Sequence, residues 1–525
     1  MPVRRIPYPF THFGGENNAD GMTNQRIFGR AGKRQLIKLR SYQLIGWGRV
    51  KKRYGYKSYI TPQITGSAPG QGCAVHRKGT TYYFVVVAGG KIKVMDKTND
   101  QWIDITGSAV PTGGQDVLMS WGTFNDGTDQ WLMGSNGVDE PFLWDGNPAN
   151  AVRLLRTFDS TLEPADVAGI VGFDSFHGYP MLFSNAGLHY AGYGTLSFSA
   201  NDAGIIDVGR GSQALAMHRH SKDVVFLFYD EEIYRVEFNP DSGSAWRALP
   251  VDDSEPCISR ASIITKDGVT YYAGERGIHA LKRAGGPSEF IGREIETFWQ
   301  ECNQARRFYV SKVRRGAPWN EVMWLVSWGD ATTHDAVIVW NTQLKGWTIF
   351  PPAYTAGRME FNCGASWPDA NSIPRTLMID YEGRCWEAFG HKGADSGYTD
   401  NGALVQTDFE TGFLDYGWAG VTYTRKLILD IEASSEKTFT LTAEPINKTP
   451  LVKDFNVGAG GDLLDATFIL DESILAEFTV TQAETKIDRD ARYMKIKLSE
   501  VSADVPHVIA GFNLPHRHGG MRMVA

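Results

Sequence analysis

The chain has 525 residues, of which 42% are hydrophobic and 12% aromatic, with 57 glycines and a formal net charge of −7. No stretch approaches the roughly 18 apolar residues of a membrane span, and the first ten residues lack the apolar run of a signal peptide. Aromatic side chains suit pleated faces and glycine suits tight turns. The composition therefore argues against a membrane span and favours an all-β chain.

The five cysteines are odd in number, widely spaced and without a CxxC pair. This pattern favours reduced thiols of a protein made in a cytosol, and we expect them to be small buried hydrophobes. They are Cys73, Cys257, Cys302, Cys363 and Cys385.

Positive charge is concentrated at the start of the chain. Residues 1–58 hold 13 lysines and arginines against two acids, Glu16 and Asp20, so the remainder of the chain is acidic. These residues show no sustained apolar period. We therefore predict a basic, extended arm over residues 1–70, with some strand character, little core of its own and a negatively charged partner.

From residue 70 onward a unit recurs about every 45 residues. Each unit is an alternating or apolar run, a turn, a second run and often a closing Trp. The segments are 81–105, 117–146, 167–193, 214–240, 262–283, 321–350 and 361–389. This spacing is typical of four-stranded blades, which bury both faces when packed radially. It predicts a β-propeller over 71–400 with about seven blades, six and eight being the alternatives.

One segment departs from the alternation. Apolar residues between 292 and 305 follow helical spacing, and we predict a short amphipathic helix inserted between two blades. Its apolar face is Ile295, Phe298, Trp299, Cys302 and Ala305. A cap on the propeller core is the favoured interpretation.

After residue 400 the alternation becomes strict, as in TRKLILDIEA and KTFTLTAEP. This period of two fits half-buried antiparallel strands. We predict a separate β-sandwich over 401–525 that ends in a short tail.

Several short motifs occur in a familiar order. They are Gly14-Gly15-Glu16-Asn17, the stretch 48–57, YYAGERGIHAL (271–281), IGREIETFWQECN (291–303), VIVWNTQLKGWTIF (337–350), RKLILDIE (425–432) and RYMKIKLSEVSADVPHVIAGF (492–512). In these motifs and in its layout the chain resembles the nozzle proteins that close the tail tube of short-tailed bacteriophages. That family includes packaged-DNA stabilisation proteins.

The resemblance implies a non-enzymatic structural protein of the virion tail, assembled in the bacterial host cytoplasm. Such a protein would form a homo-oligomeric ring, expected to be a hexamer, below an adaptor ring and near tail fibres or spikes. Double-stranded DNA would be retained and then ejected through its channel without sequence recognition. The acidic body would suit sliding DNA, although ordinary solubility charge explains it equally well.

The arm supplies the candidate site residues. They are Arg4, Arg5, Arg26, Arg30, Lys33, Arg34, Arg49, Lys51, Lys52 and Arg53. Arginines interleaved with aromatics suit docking onto an acidic protein ring, which we favour for contacts with the adaptor or a neighbouring subunit. Contact with DNA and a solvated basic tail are the alternatives.

No metal or cofactor site is predicted. His218 and His220 can share a strand face, with Asp252 and Asp253 further on, but a third ligand at recognisable spacing is missing, and His516 and His518 have the same problem. No hydrolase, zincin, P-loop or dinucleotide-binding motif occurs in a suitable context.

The alternative function is a carbohydrate-binding or carbohydrate-cleaving propeller that acts in receptor recognition. Loops around Trp121, Trp131 and Trp144 would then stack on sugars.

Overall fold

The computed structural model describes residues 9–11, 13–16, 34–45, 49–209, 212–239, 245–251, 254–282, 286–315, 319–352, 359–390, 397–414, 421–433, 436–457, 480–502 and 507–518. Their regular structure is mostly β, as the sequence predicts. None of the helices in this part of the chain is long and apolar enough to cross a bilayer.

The N-terminal segment forms short strands. They are β1 (Pro9–Thr11), β2 (Phe13–Glu16), β3 (Arg34–Leu36), β4 (Lys38–Arg40), β5 (Tyr42–Ile45), β6 (Arg49–Lys52) and β7 (Tyr56–Ile60).

Four-stranded antiparallel sheets, here called units, follow in chain order. Unit 1 is β8 (Gly70–Lys78), β9 (Thr81–Ala88), β10 (Lys91–Asp96) and β11 (Gln101–Asp104). Unit 2 is β12 (Ser120–Asn125), β13 (Gln130–Ser135), β14 (Phe142–Trp144) and β15 (Arg153–Leu154). A 3-10 turn (Leu155–Thr157) and the helix α1 (Pro164–Val167) lead to the next unit.

Unit 3 is β16 (Gly172–Phe176), β17 (Tyr179–Ser184), β18 (Gly187–Tyr190) and β19 (Gly204–Ile206). Unit 4 is β20 (Ala214–Arg219), β21 (Val224–Tyr229), β22 (Ile233–Phe238) and β23 (Trp246–Pro250). After a 3-10 turn (Arg260–Ser262), unit 5 is β24 (Ile264–Lys266), β25 (Val269–Gly274), β26 (Gly277–Lys282) and β27 (Glu289–Phe290).

The predicted helix lies between units 5 and 6. It is a 3-10 turn (Gly292–Ile295), the helix α2 (Glu296–Glu301) and a second 3-10 segment (Gln304–Tyr309). Four residues of its predicted apolar face pack into the core between these units, whereas Ala305 is exposed because α2 ends at Glu301, before extended Cys302. The helix therefore caps the core, as expected, but is shorter than predicted.

Unit 6 is β28 (Ser311–Arg315), β29 (Glu321–Val326), β30 (Ala336–Asn341) and β31 (Gly346–Phe350). Unit 7 takes three strands from the chain at this point, β32 (Phe361–Pro368), β33 (Pro374–Asp380) and β34 (Cys385–Ala388). Its fourth strand is β7 of the N-terminal segment, which pairs antiparallel with β34. The predicted arm boundary at residue 70 is therefore corrected, because residues 56–60 complete unit 7.

The seven units together form a closed circle. Among the described residues, an apolar core lies between each unit and the next, from unit 1 through to unit 7. A further core joins unit 7 to unit 1, where Ile60 and Ile379 pack with Phe84 and Val86. Since both faces of each unit are covered in this way, the arrangement is propeller-like.

Glycines on the innermost strands allow the units to approach closely. Gly72, Gly122 and Gly172 are evenly spaced along the chain on the first strands of units 1, 2 and 3. A Cβ atom on Gly122 would lie 2.1 Å from the carbonyl oxygen of Phe173, and one on Gly172 would lie 2.6 Å from Cβ of Met217. A side chain at these positions would separate neighbouring units near the centre of the circle that the seven units form.

The C-terminal strands are β35 (Thr399–Asp400), β36 (Ala403–Glu410), β37 (Thr422–Ala433), β38 (Lys437–Pro445), β39 (Leu451–Val457), β40 (Val480–Ala491), β41 (Met494–Ser502), β42 (His507–Asn513) and β43 (His516–His518). One sheet has the order β40-β37-β42-β6-β5, and the other contains β4-β36-β41-β38-β39. Both sheets line a single apolar core.

The N-terminal segment contributes to this core. Leu36, Leu39, Tyr42, Leu44 and Val50 are all buried there. The prediction of an arm with little core of its own is therefore wrong for the described residues 36–60. The C-terminal unit needs these strands in addition to residues 401–525.

Candidate functional site

Among the described residues, a strongly charged interior region lies where the N-terminal segment crosses from the C-terminal sheets to unit 7. This region, here called the junction, comprises Lys52, Arg53, Asp400, Lys437, Glu500 and His507. Backbone contacts fix the crossing, because Gly55 N–H donates to the Gly397 carbonyl and Phe389 N–H donates to the Gly55 carbonyl. A Cβ on Gly55 would lie 1.8 Å from the Thr399 carbonyl oxygen, so the crossing requires glycine.

Arg53 and Asp400 form a fully buried ion pair. Arg53 Nη1 donates to Asp400 Oδ1 at 2.8 Å, and Nη2 donates to Oδ2 at 2.5 Å. The guanidinium also lies over the rings of Phe350 and Phe389. A two-point contact of this kind satisfies both charges at once, which a buried pair requires.

Lys52 and Lys437 share one carboxylate. Lys52 Nζ lies 3.0 Å from Glu500 Oε2 and Lys437 Nζ lies 3.5 Å from Glu500 Oε1, and all three side chains are fully buried. Burial lowers the pKa of both lysines, that of Lys437 to about 8, and Glu500 opposes this effect. The arrangement holds an acid between two bases inside the protein.

His507 completes the cluster as a neutral group. Burial and the two ammonium groups lower its pKa well below the ordinary value. Its Nε2 lies 3.0 Å from the Tyr42 hydroxyl and its Nδ1 lies 3.7 Å from Glu500 Oε2. Tyr42 belongs to β5, Lys52 to β6, Lys437 to β38, Glu500 to β41 and His507 to β42. The cluster therefore ties both C-terminal sheets to the N-terminal strands.

The residues predicted to dock the arm lie in different environments in the structure. Lys52 and Arg53 are internal, so their charges act within the chain rather than on a partner. Arg49 donates to Glu432 at 2.7 Å, and Lys51 donates to the Tyr54 hydroxyl. Of Arg34 only the backbone in β3 is described. The rest of the predicted set lies outside the described residues: Arg4, Arg5, Arg26, Arg30 and Lys33.

Four residues of the junction are not predicted from the sequence, and these are Asp400, Lys437, Glu500 and His507. For two of them, however, the strand pattern indicates a buried charge. Strict alternation places Lys437 on the face of β38 that carries Phe439 and Leu441. The same alternation places Glu500 on the face of β41 that carries Leu498. A charged residue on a core-facing position indicates a buried partner.

The histidine pairs show no metal geometry. His218 bonds to the Thr265 hydroxyl and His220 to the Thr270 hydroxyl, while Asp252 and Asp253 lie outside the described residues. His516 contacts the Leu514 carbonyl, and the side chain of His518 is not described. In the described part of the chain, no group of three or more His, Cys, Asp or Glu side chains is placed to hold a metal ion.

The tryptophans suggested for sugar stacking do not form a surface platform. Trp131 and Trp144 are buried in the cores around unit 2, and Trp121 lies half-buried on the innermost strand of that unit. The interpretation of these residues as sugar-binding loops is therefore wrong. The carbohydrate alternative stays a prediction without this support.

The five cysteines are all free thiols, and four of them are buried. Burial raises the pKa of Cys257 and Cys302 to about 12. These thiols therefore fit the predicted interior packing role.

No protein-family model matches the sequence, and no curated protein matches it significantly. Among solved structures the chain is similar to virginiamycin B lyase from Staphylococcus aureus, with 11% identity and a TM-score of 0.41 over 64% of this chain and 100% of that chain. It is also similar to YCF48 bound to D1 peptide, with 10% identity and a TM-score of 0.39 over 65% and 98% of the two chains. These distant similarities concern the mostly β, propeller-like arrangement alone and carry no argument about function.

Proposed function

We propose that this chain is a structural protein of a phage virion, the nozzle ring at the distal end of a short tail. In this proposal the seven units are the blades of a propeller and the facing C-terminal sheets form a β-sandwich. Copies of the chain assemble into a ring, expected to be a hexamer, below an adaptor ring. The ring retains packaged DNA and forms the channel for its ejection.

The observation that carries the proposal is the threading of the N-terminal segment through both parts of the molecule. Strands β4 to β6 belong to the C-terminal sheets, and β7 completes unit 7 immediately afterwards. The Arg53–Asp400 pair lies at the crossing. Separating the two parts would break a β ladder and expose buried charges, which is costly. A conduit that holds pressurised DNA needs such resistance to separation.

The size of the central cavity fits a DNA path between subunits rather than through one chain. The cavity lined by the innermost strands has a volume of about 420 Å³. Cavities of this size accommodate small molecules, whereas a duplex needs a far wider passage. The proposed DNA channel is therefore the hole of the oligomeric ring.

The proposal is tested by electron microscopy of particles that carry a label on this chain. We expect the label at the tail tip and rings with a central hole in the purified protein or after mixing with the adaptor. A label elsewhere on the particle, or a monomer that binds or depolymerises host polysaccharide, would overturn the proposal.

A second experiment tests the arm. Replacing Arg4, Arg5, Arg26, Arg30 and Lys33 by glutamine should reduce incorporation into particles, because these charges are expected to dock on an acidic ring. A matched control replaces five exposed basic residues elsewhere, namely Lys91, Lys222, Arg247, Lys282 and Lys453. Equal incorporation of both variants would contradict the docking role.

A further inference from the structure

The innermost strands of the units enclose a cavity with an unusual set of polar groups. All seven units contribute residues to its lining, most of them from the first strand of each unit. The cavity, here called the axial cavity, is lined among others by Cys73, Trp121, Asp174, His218, Arg219 and Lys312. A smaller adjoining cavity shares Cys73, Trp121 and Lys312.

Cations exceed anions on the wall of the axial cavity. Asp174 faces Arg219, with Oδ2 and Nε 3.9 Å apart, and it also accepts from the backbone N–H of Thr123 at 3.0 Å. Lys312 and Arg314 of β28 also line the cavity. Among the described residues, neither of these two side chains has a hydrogen-bond partner or a carboxylate partner. In the described part of the chain the half-buried Lys312 ammonium group therefore has no counter-ion, whereas the Arg314 side chain is exposed to solvent.

Lys312 is half-buried in the wall of the axial cavity. Burial lowers the pKa of its ammonium group to about 8. The nearby thiols of Cys257 and Cys73 do not compensate its charge, because burial raises the pKa of both and keeps them neutral. His218 adds no charge, because burial lowers its pKa to about 3. A partly desolvated ammonium group without a counter-ion is less favourable than a fully solvated one, and a bound anion would offset that cost.

A neutral donor lies in the same wall. The indole Nε1–H of Trp121 is buried and has no hydrogen-bond partner in the described structure. Buried donors are almost always satisfied in folded proteins, so an unpaired one at a cavity indicates a missing acceptor. Gly72 leaves room beside it, because a Cβ there would approach Trp121 Nε1 to 3.1 Å.

We propose that the axial cavity binds a small oxyanion, a carboxylate or a phosphate group, between the Lys312 ammonium and the Trp121 indole N–H. Arg314 also lines the cavity, but its side chain is exposed, so solvent screens its charge. Asp174 is already engaged by Arg219 and by backbone donors, so it does not neutralise Lys312. The volume of about 420 Å³ admits a ligand considerably larger than the anionic group itself. This site is independent of the proposed nozzle role.

Isothermal titration calorimetry of the full-length chain with inorganic phosphate and with citrate tests the proposal. We expect one anion per chain to bind, and the two probes distinguish a phosphate-type site from a carboxylate-type site. Lys312→Met should weaken binding about tenfold or more, since it removes a charged hydrogen-bond donor. Lys282→Met is the matched control, because Lys282 is 70% exposed, and it should bind as the wild type does.

Trp121→Phe is a second variant that keeps an aromatic ring and removes only the N–H, so it keeps the test decisive if Lys312→Met does not fold. It should weaken binding about tenfold, because a hydrogen bond to a charged group is lost. Absence of heat with both anions up to millimolar concentrations would overturn the proposal. So would equal binding by the wild type and whichever of the two cavity variants folds.

Discussion

The Arg53 guanidinium and the Asp400 carboxylate meet in a two-point contact, with Nη1 to Oδ1 at 2.8 Å and Nη2 to Oδ2 at 2.5 Å. Both side chains are at most 2% exposed. They come from positions far apart in the sequence and meet where the N-terminal segment leaves the C-terminal sheets. Replacing one member of this pair therefore tests how firmly the C-terminal sheets are joined to the seven units.

Asp400→Asn should lower the apparent free energy of unfolding by about 3–5 kcal/mol, because it leaves the Arg53 charge buried without a counter-ion. Asp490→Asn is the matched control, since the Lys448–Asp490 pair is about half exposed. Its effect should stay below about 1 kcal/mol. Urea unfolding of both variants measures the difference, and similar effects would contradict the importance of the junction.

Ile60→Ala should destabilise the protein by about 2–5 kcal/mol, because it leaves a cavity in the core that joins unit 7 to unit 1. Ile60 is 1% exposed in that core. Ile205→Ala removes the same atoms from a side chain that is 60% exposed and should change stability by no more than about 0.5 kcal/mol. Thermal unfolding compares the midpoint temperatures of the two variants. An unchanged midpoint for Ile60→Ala would contradict the conclusion that β7 closes the circle of seven units.

Gly122→Ala should cost about 1–3 kcal/mol or more, because its methyl group would meet the Phe173 carbonyl and push units 2 and 3 apart. At Gly286 a Cβ would have no neighbour within 4 Å, so Gly286→Ala serves as control. The control should be neutral or stabilise by up to about 1 kcal/mol. Urea unfolding measures the free energy of unfolding of both alanine variants. Equal values would contradict the close approach of the inner strands.

Acidification should destabilise the protein through His334, which is 1% exposed. Burial lowers its pKa to about 3, whereas the unfolded chain takes up this proton with an ordinary pKa near 6.5. The unfolded state therefore binds more protons between these values, and the free energy of unfolding falls as the pH drops from 6.5 towards 3. The contribution approaches about 1.4 kcal/mol per pH unit.

The measurement is urea unfolding of the wild type and of His334→Gln at several pH values between 7.5 and 5. The variant should show a shallower pH dependence, since glutamine does not titrate and can still donate to the Phe361 carbonyl that His334 Nδ1 contacts. An identical pH dependence in the two proteins would assign the acid sensitivity to other groups.

Much of the repeat could be predicted from the sequence, because the middle strands of each unit are apolar runs separated by turns. The innermost strands β8 and β28 lie outside the predicted segments 81–105 and 321–350. Their sequences, GQGCAVHRK and SKVRR, are rich in glycine and charge. Both strands line a polar cavity, β8 packs against unit 2 through Gly72 and β28 carries Lys312 and Arg314, so neither strand shows the apolar alternation that marks ordinary strands.

The N-terminal segment could not be placed from sequence because its partners are remote. Lys52 pairs with Glu500 and β7 pairs with β34, each hundreds of residues away. Local patterns report periodicity but not which strand lies alongside. The basic character that suggested an external partner is, for Lys52 and Arg53, compensated by carboxylates inside the protein.

The position of β7 also has a consequence for biosynthesis. Its pairing partner β34 is synthesised more than 300 residues later, so one of the first segments to leave the ribosome is among the last to find its place. Until then β34 offers an open edge that the same strand of another copy can occupy. A ring closed by such a distant pairing folds slowly, and high concentrations of newly made chains favour exchanged strands over correctly closed monomers.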